Sequence, residues 1–349
     1  MPDHEFYMQR CLELAKKGAG SVAPNPMVGS VLVYQDRIIG EGWHQRFGEA
    51  HAEVNCISSV REEDQPLINS SVLYVSLEPC AHFGKTPPCT DLIIRHKIRQ
   101  VVIACPDPFD EVNGKGIEKL KASGIDVITG VLEKEAMALN RRFFIFYQQH
   151  RPYIILKWAQ TADHFMSREA GQPRLLISNE LSNRLVHQWR SQESSILVGT
   201  ATALADNPSL TTRLWPGASP LRLILDLSLR LPPSLHVFDQ TVKTIIFNKL
   251  REGEEGNLHY YKISESQNLV QQLLHALYQL KIQSVMVEGG ARLLQSFLNE
   301  GCWDEARVIT NEHLKIEKGL AAPRLGNAWQ TGEQELASDR IRFYTRQAK

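Results

Sequence analysis

Three side chains far apart in the chain restrict its fold more than any other feature: His51, Cys80 and Cys89. His51-Ala52-Glu53 opens an apolar-periodic stretch, and Pro79-Cys80 follows a β-branched run. One imidazole and two thiolates are ligands that zinc favours. Three of them leave a fourth position open for water, which separates a catalytic zinc site from a closed structural one. Zinc lowers the pKa of its water towards neutrality. Glu53, in the first helical turn, can sit beside the metal without ligating it and move protons as general acid and base. A lone His-x-Glu is a weak signal, and two cysteines can equally be buried thiols. All three elements in order, each at the end of a secondary element, favour one catalytic zinc per chain. A fold that serves this site must bring position 51 to positions 80 and 89.

The hydrophobic periodicity supplies such a fold. Residues 5–17 read as a helix, 28–34 and 37–43 as a hairpin around Gln35-Asp36, and 51–60 as a helix. Residues 71–77 are a strand ending at Glu78-Pro79, 90–96 a helix, 100–104 a buried strand, 115–123 a helix and 125–128 a strand. Residues 133–147 read as one helix, followed by the polar stretch Gln148-Gln149-His150-Arg151-Pro152. That stretch marks the expected boundary between domains 1–149 and 150–349. Beyond it, strands are expected at 153–159, 195–199, 221–226, 243–247 and 284–287, with helices at 179–190, 268–280 and 291–299. Alternating strands and helices predict two α/β domains. The part after Gly326 is the least readable.

Composition excludes several classes. The 349 residues carry 39 basic and 39 acidic side chains, which disfavours a nucleic-acid binder. No apolar run reaches the length of a membrane span, and the first residues lack a secretory pattern. Six cysteines in such a chain are expected to be reduced, in the cytoplasm.

His-x-Glu followed by Pro-Cys is the order found in zinc nucleobase deaminases. The short Cys-x-x-Cys spacing of many of them is replaced by eight intervening residues. Gly48-Glu49-Ala50-His51-Ala52-Glu53-Val54, Leu77-Glu78-Pro79-Cys80-Ala81-His82-Phe83-Gly84-Lys85-Thr86-Pro87-Pro88-Cys89, Asn25-Pro26-x-Val28-Gly29 and Gly42-x-His44 closely resemble the deaminase half of the bifunctional deaminase/reductases of riboflavin biosynthesis. The resemblance implies a cytidine-deaminase-like domain acting on a diaminopyrimidinone ribosylamine 5′-phosphate, with Asn25, His44 and Lys85 in the substrate pocket. The family's usual Asp-Pro-Asn-Pro reads Asp107-Pro108-Phe109-Asp110 here, which removes an amide at 109.

The second half has no Gly-x-Gly-x-x-Gly after a strand. It has instead the strand Ser284-Val285-Met286-Val287, then Glu288-Gly289-Gly290, then a helix from Ala291. Two glycines let backbone approach an anion, and the helix start supplies donors. Alone, this pattern fits a plain strand turn equally well. The segment Ile196-Leu197-Val198-Gly199-Thr200-x-Thr202-x-x-x-Asp206-Asn207-Pro208-Ser209-Leu210-Thr211-x-Arg213, with Ile224-Leu225-Asp226 and Leu156-Lys157, resembles the reductase half of the same family. That resemblance implies a dihydrofolate-reductase-like domain using NADPH to reduce the ribosyl group to ribityl. It places Ala159, Leu176, Thr202, Asp206 and Gly290, Ala291, Arg292, Leu293, Leu294, Gln295 and Ser296 against NADPH. It places Arg174, Arg190, Leu210, Arg213 and Glu288 against the substrate. The family's Ser-Leu-Asp-Gly is Thr161-Ala162-Asp163-His164 here, so His164 suits its position only if no positive φ is needed. Leu176 stands where the family has tryptophan.

The expected protein is therefore a bifunctional enzyme needing zinc and NADPH and taking a small phosphorylated pyrimidine, with neither nucleic acid nor membrane as partner. By resemblance it is a homo-oligomer. Two other readings remain: a deaminase whose reductase half has decayed into a scaffold, and a nucleic-acid-binding deaminase-fold module.

Overall fold

The computed structural model describes residues 3–83, 87–169, 171–264 and 268–347. Contacts divide the chain into two compact units, Met1–His150 and Arg151–Lys349. Among the described residues, no helix is long and apolar enough to cross a membrane.

The first unit is built on a five-stranded sheet with spatial order Arg37–Trp43, Gly29–Tyr34, Val72–Val75, Gln100–Ile103, Asp126–Thr129. The first two neighbour pairs are antiparallel and the last two parallel. Successive strand residues feed opposite faces, as a pleat requires. Val31 and Val33 join Met8, Cys11, Leu12 and Leu14 of the helix His4–Lys16 on one face. Leu32 joins Cys56, Ile57, Ile93 and Leu120 on the other. Each such aliphatic side chain, fully buried, contributes about 1.5–3 kcal/mol. Asp3 caps the first helix, its carboxylate accepting the Phe6 N–H at 3.1 Å.

One expected helix proves to be two. The stretch 133–147 divides into Glu133–Leu139 and Arg141–Gln149. Asn140 between them donates its amide to the Met27 carbonyl and accepts the Met27 N–H, both at 2.8 Å. Asparagine is a weak helix former whose side chain competes for backbone groups. Here that competition ties the 25–27 segment down.

The second unit holds a ten-stranded sheet among its described residues. Its order is Gly253–Glu255, Leu258–Lys262, Thr244–Asn248, Leu221–Leu225, Ser195–Gly199, Ser284–Val287, Tyr153–Thr161, Glu305–Asn311, Asp339–Arg346, Ala328–Leu336. The strands from Leu258–Lys262 through Glu305–Asn311 run parallel, and the outer ones pair antiparallel. Parallel neighbours need crossovers, which helices such as Glu180–Gln192, Leu269–Gln279 and Ala291–Asn299 provide. Chain order reverses around Ser195–Gly199, Ser284–Val287 and Tyr153–Thr161, and ligands of open α/β sheets bind beyond the carboxyl ends of strands at such a reversal.

The stretch after Gly326 forms the hairpin Ala328–Leu336 with Asp339–Arg346. Its outer strand is polar and mostly exposed, so no apolar alternation marks it. Cross-strand charge pairs support it, Arg342 Nε to Glu333 Oε2 at 3.0 Å and Arg340 Nη2 to Glu335 Oε1 at 2.7 Å.

Candidate functional site

In the first unit, His51 is the extended N-cap residue of the helix Ala52–Ser58, and Cys89 is the first residue of the helix Cys89–Arg95. Cys80 lies beyond the carboxyl end of the strand Val72–Val75. The fold brings the three together: His51 Nδ1 is 3.6 Å from Cys80 Sγ and 3.4 Å from Cys89 Sγ. All three donor atoms lie within 4.8 Å of one another. Zinc bonds to nitrogen and sulfur at a tetrahedral angle set those atoms about 3.5 Å apart. The donor set and its spacing therefore fit zinc.

The two thiols divide their charge unequally, Cys80 being held low while Cys80 and burial push Cys89 up. Hydrogen bonding from Cys89 brings the Cys80 thiol down to about 4 against the opposing push of burial, and His51 adds to this. The Cys89 N–H also donates to Cys80 Sγ at 3.3 Å. Glu53 is only 3 % exposed. Burial pushes its carboxyl up, with His51 partly opposing. A carboxyl raised towards working pH suits proton transfer.

Two of the expected pocket residues meet each other. His44 Nδ1 lies 3.0 Å from the Ala50 carbonyl and Nε2 lies 3.0 Å from Asn25 Nδ2. Carbonyls only accept, so Nδ1 carries the proton and Nε2 accepts from the amide. Burial first, and then His51, hold the His44 pKa down. The His44 ring stands edge-on to His51 with centroids 5.4 Å apart. Lys85 lies outside the described residues. Phe109 sends its N–H to Asp107 Oδ1 at 2.8 Å and packs its ring on Tyr147.

In the second unit, two helix starts lie side by side beyond adjacent parallel strands, Thr200–Asp206 after Gly199 and Ala291–Asn299 after Gly290. Gly289 has φ +139° and Gly290 has φ +76°. A Cβ on Gly289 would sit 2.9 Å from the Thr202 methyl, so the turn closes directly on Thr202. Arg174 Nε is 3.2 Å from Asp206 Oδ1. Ala159 lies on the strand Tyr153–Thr161. Arg292 is exposed, Leu293 and Leu294 are buried, and Ala291 is half-buried. The Ser296 hydroxyl donates back to the Arg292 carbonyl, while Gln295 Oε1 accepts the Arg324 N–H.

Glu288 is the centre of the expected substrate residues. Arg190 grips it with Nε at 2.9 Å and Nη2 at 2.8 Å, and Lys157 Nζ is 3.6 Å away. Burial pushes the Glu288 carboxyl up, but Arg190 and Lys157 outweigh it and hold it at about 2. Most of the Arg190 fork is thus committed to Glu288 and, at 3.2 Å, to the Thr211 carbonyl. Arg213 is exposed, and its N–H donates to His187 Nδ1 at 2.9 Å. Burial, with Arg190 and Arg213, depresses His187 to about 4, so it stays a neutral acceptor. Leu210 is 2 % exposed, has φ +53°, and packs with Ile196, Val198 and Ala203. Its side chain belongs to the core and not to an open site.

His164 adopts φ +64°, so this turn does take the left-handed form and accepts histidine there. That geometry costs a non-glycine residue about 1–2 kcal/mol. The His164 N–H to Thr161 carbonyl bond and a contact between its ring and Gln160 Nε2, both 3.0 Å, hold it. Leu176 is 77 % exposed.

Sequence reasoning gave no role to Lys157, His187 or Arg222. Lys157 carried a signal, a lone charge in an apolar strand. His187 carried none. Arg222, fully buried, donates from Nε to the Ser209 carbonyl at 2.8 Å and pairs with Asp239 at 2.6 Å, which pins the 207–211 loop.

A His/Cys/Cys donor set with a buried glutamate beside it is the arrangement of a zinc deaminase domain, here joined to a second, parallel-sheet α/β unit. Residues 1–105 match the cytidine and deoxycytidylate deaminase zinc-binding region, and residues 152–311 match the RibD C-terminal domain. The riboflavin biosynthesis protein RibD of Aquifex aeolicus is 42% identical over 327 residues, covering 92% of this chain and 90% of that protein. Its Escherichia coli counterpart is 34% identical over 321 residues, covering 87% and 86%. The crystal structure of a diaminohydroxyphosphoribosylaminopyrimidine deaminase/5-amino-6-(5-phosphoribosylamino)uracil reductase from Thermotoga maritima superposes with a TM-score of 0.88 at 36% identity, over 98% of each chain. The chain belongs to the RibD family of bifunctional deaminase/reductases of riboflavin biosynthesis.

Proposed function

We propose that residues 1–149 hydrolytically deaminate a diaminopyrimidinone ribosylamine 5′-phosphate, and that residues 150–349 reduce the ribosyl group of the product to ribityl with NADPH. The observation that carries this reading is the His51, Cys80 and Cys89 cluster with the buried Glu53 beside it. His51 Nδ1, Cys80 Sγ and Cys89 Sγ would hold zinc. When bound, zinc supplies the Lewis acidity that makes water nucleophilic near neutral pH. A Glu53 carboxylate oxygen would take one proton of the attacking water and pass it to the ring nitrogen, then carry the remaining hydroxyl proton to the amine, which leaves as ammonia as the C–N bond breaks and the oxo group forms. Asn25 donates to His44 through its nitrogen, which leaves the carbonyl oxygen as the group that would accept from a ring amine.

In the second unit, NADPH supplies the hydride. Residues Gly290 to Ser296 hold its phosphates from the start of their helix, where the N–H groups ahead of Leu294 have no intrahelical partner; that of Leu294 donates to the Gly290 carbonyl, and the Leu293 and Leu294 side chains belong to the core. Thr202 and Asp206 form the facing wall, with Ala159 and Leu176 further along the cofactor. Arg213 and Arg174 offer guanidinium donors to the substrate phosphate, and Arg190 acts mainly by fixing Glu288. We place the enzyme in the cytoplasm as a homo-oligomer. Its six cysteines are all unpaired, which suits a reducing compartment.

Titration with NADPH tests the second half. Gly290→Val should raise the NADPH dissociation constant by ~10-fold or more, since a branched side chain occupies phosphate space and opposes φ +76°. Deamination, which belongs to the other unit, should stay within about twofold of the parent. An unmutated protein that binds no NADPH would favour the decayed-scaffold reading instead.

A further inference from the structure

Glu78 stands immediately before Pro79-Cys80 and is 4 % exposed. Its carboxylate accepts four backbone N–H groups. Oε2 takes those of Asp107 at 3.1 Å and Gly114 at 3.0 Å, and Oε1 takes those of Gly116 at 2.8 Å and Ile117 at 3.2 Å. The Glu78 N–H in turn donates to the Cys105 carbonyl at 3.1 Å. An ionised carboxylate suits this arrangement, because both oxygens accept and neither offers a proton. Hydrogen bonds to a charged acceptor are also about twice as strong as neutral ones.

The four donors belong to the segment 107–117, which lies outside the sheet ladder. That segment faces the metal-ligand loop. Phe109 sets its ring edge-on to His82 with centroids 6.1 Å apart, and Glu111 Oε2 lies 3.9 Å from His82 Nε2. His82 sits between Cys80 and Cys89 in the chain. Asp107 is itself only 8 % exposed. At the far end of the segment, a Cβ on Gly116 would sit 2.1 Å from the Pro79 carbonyl oxygen. Only glycine allows the approach that Glu78 imposes.

We infer that Glu78 is a positioning residue of the deaminase: it clamps the Asp107-bearing segment against the loop that carries Cys80 and so builds one wall of the substrate pocket. None of His51, Glu53, Cys80 or Cys89 lies on the clamped segment. Glu78 therefore acts on substrate binding, and leaves metal retention and proton transfer to those four. The inference rests on the deaminase reading of this site.

The test is steady-state deamination by full-length Glu78→Gln, with zinc content measured alongside. Glutamine keeps the volume but turns one end into an N–H₂ donor that opposes two N–H donors. The KM for the pyrimidine substrate should rise by ~10-fold or more while kcat stays within about threefold, the signature of lost binding that is common to ground and transition states. Zinc should stay at about one per chain, and reduction of supplied deaminated substrate should not change. Gly116→Ala displaces the same segment without removing the carboxylate, since its Cβ would sit 2.1 Å from the Pro79 carbonyl oxygen and 3.0 Å from Glu78 Oε1. It should give the same split, and it carries the test where Glu78→Gln does not fold. An unchanged KM in either folded variant, or loss of zinc from one, would overturn the inference. Absence of deamination by the unmutated protein would instead strike at the deaminase reading itself.

Discussion

Glu53→Gln is expected to cut deamination by at least ~10²-fold, because a positioned proton shuttle contributes about 10²–10⁴-fold. Glutamine has nearly the same volume, so the buried site need not rearrange. It neither takes a proton from water nor returns one to a leaving amine. His51, Cys80 and Cys89 are untouched, so zinc should remain at about one per chain. The reductase step, given deaminated substrate, should continue at the parental rate. Rates of ammonia release and NADPH oxidation measured on one preparation check both halves of this expectation. A variant that still deaminates near the parental rate would remove Glu53 from its role.

Loss of a zinc ligand should have the other large effect. Cys89→Ala leaves one imidazole and one thiolate, too few protein donors for a three-ligand catalytic site. Zinc should fall from about one per chain towards zero, and deamination with it to background. Reduction should persist, because the second unit contributes none of these ligands. Metal analysis with circular dichroism separates loss of metal from loss of fold. A Cys89→Ala protein that keeps its full zinc would show that another group supplies the third bond.

The clustering of His51, Cys80 and Cys89 was legible in the sequence because metal ligation restricts both residue type and position. His51 and Cys89 each stand at a helix start, and a helix start can be read from the change in hydrophobic period. Buried parallel strands such as Ser195–Gly199 and Ser284–Val287 were legible as short apolar runs. Asn140 was not, since its pairing with Met27 joins residues 113 apart and leaves no local pattern. The hairpin after Gly326 was hidden for a related reason. Cross-strand charge pairs support it, and its outer strand is polar on both faces, which erases the period of two there. In the second unit, Glu288 was singled out by resemblance alone. Its grip by Arg190, 98 positions away, emerges only from the fold. His164 marks a limit of another kind: backbone sterics argue for glycine at φ +64°, and local hydrogen bonds hold histidine there instead.

The most direct measurement is a coupled assay of the purified protein with the diaminopyrimidinone ribosylamine 5′-phosphate, with and without NADPH. Without NADPH, the account predicts ammonia release that stops at the deaminated ribosyl product. With NADPH, it predicts the same deamination followed by stoichiometric NADPH oxidation and a ribityl product. Deamination with no NADPH oxidation would leave a deaminase with an inert second unit, and no ammonia release in either arm would contradict the account at its centre.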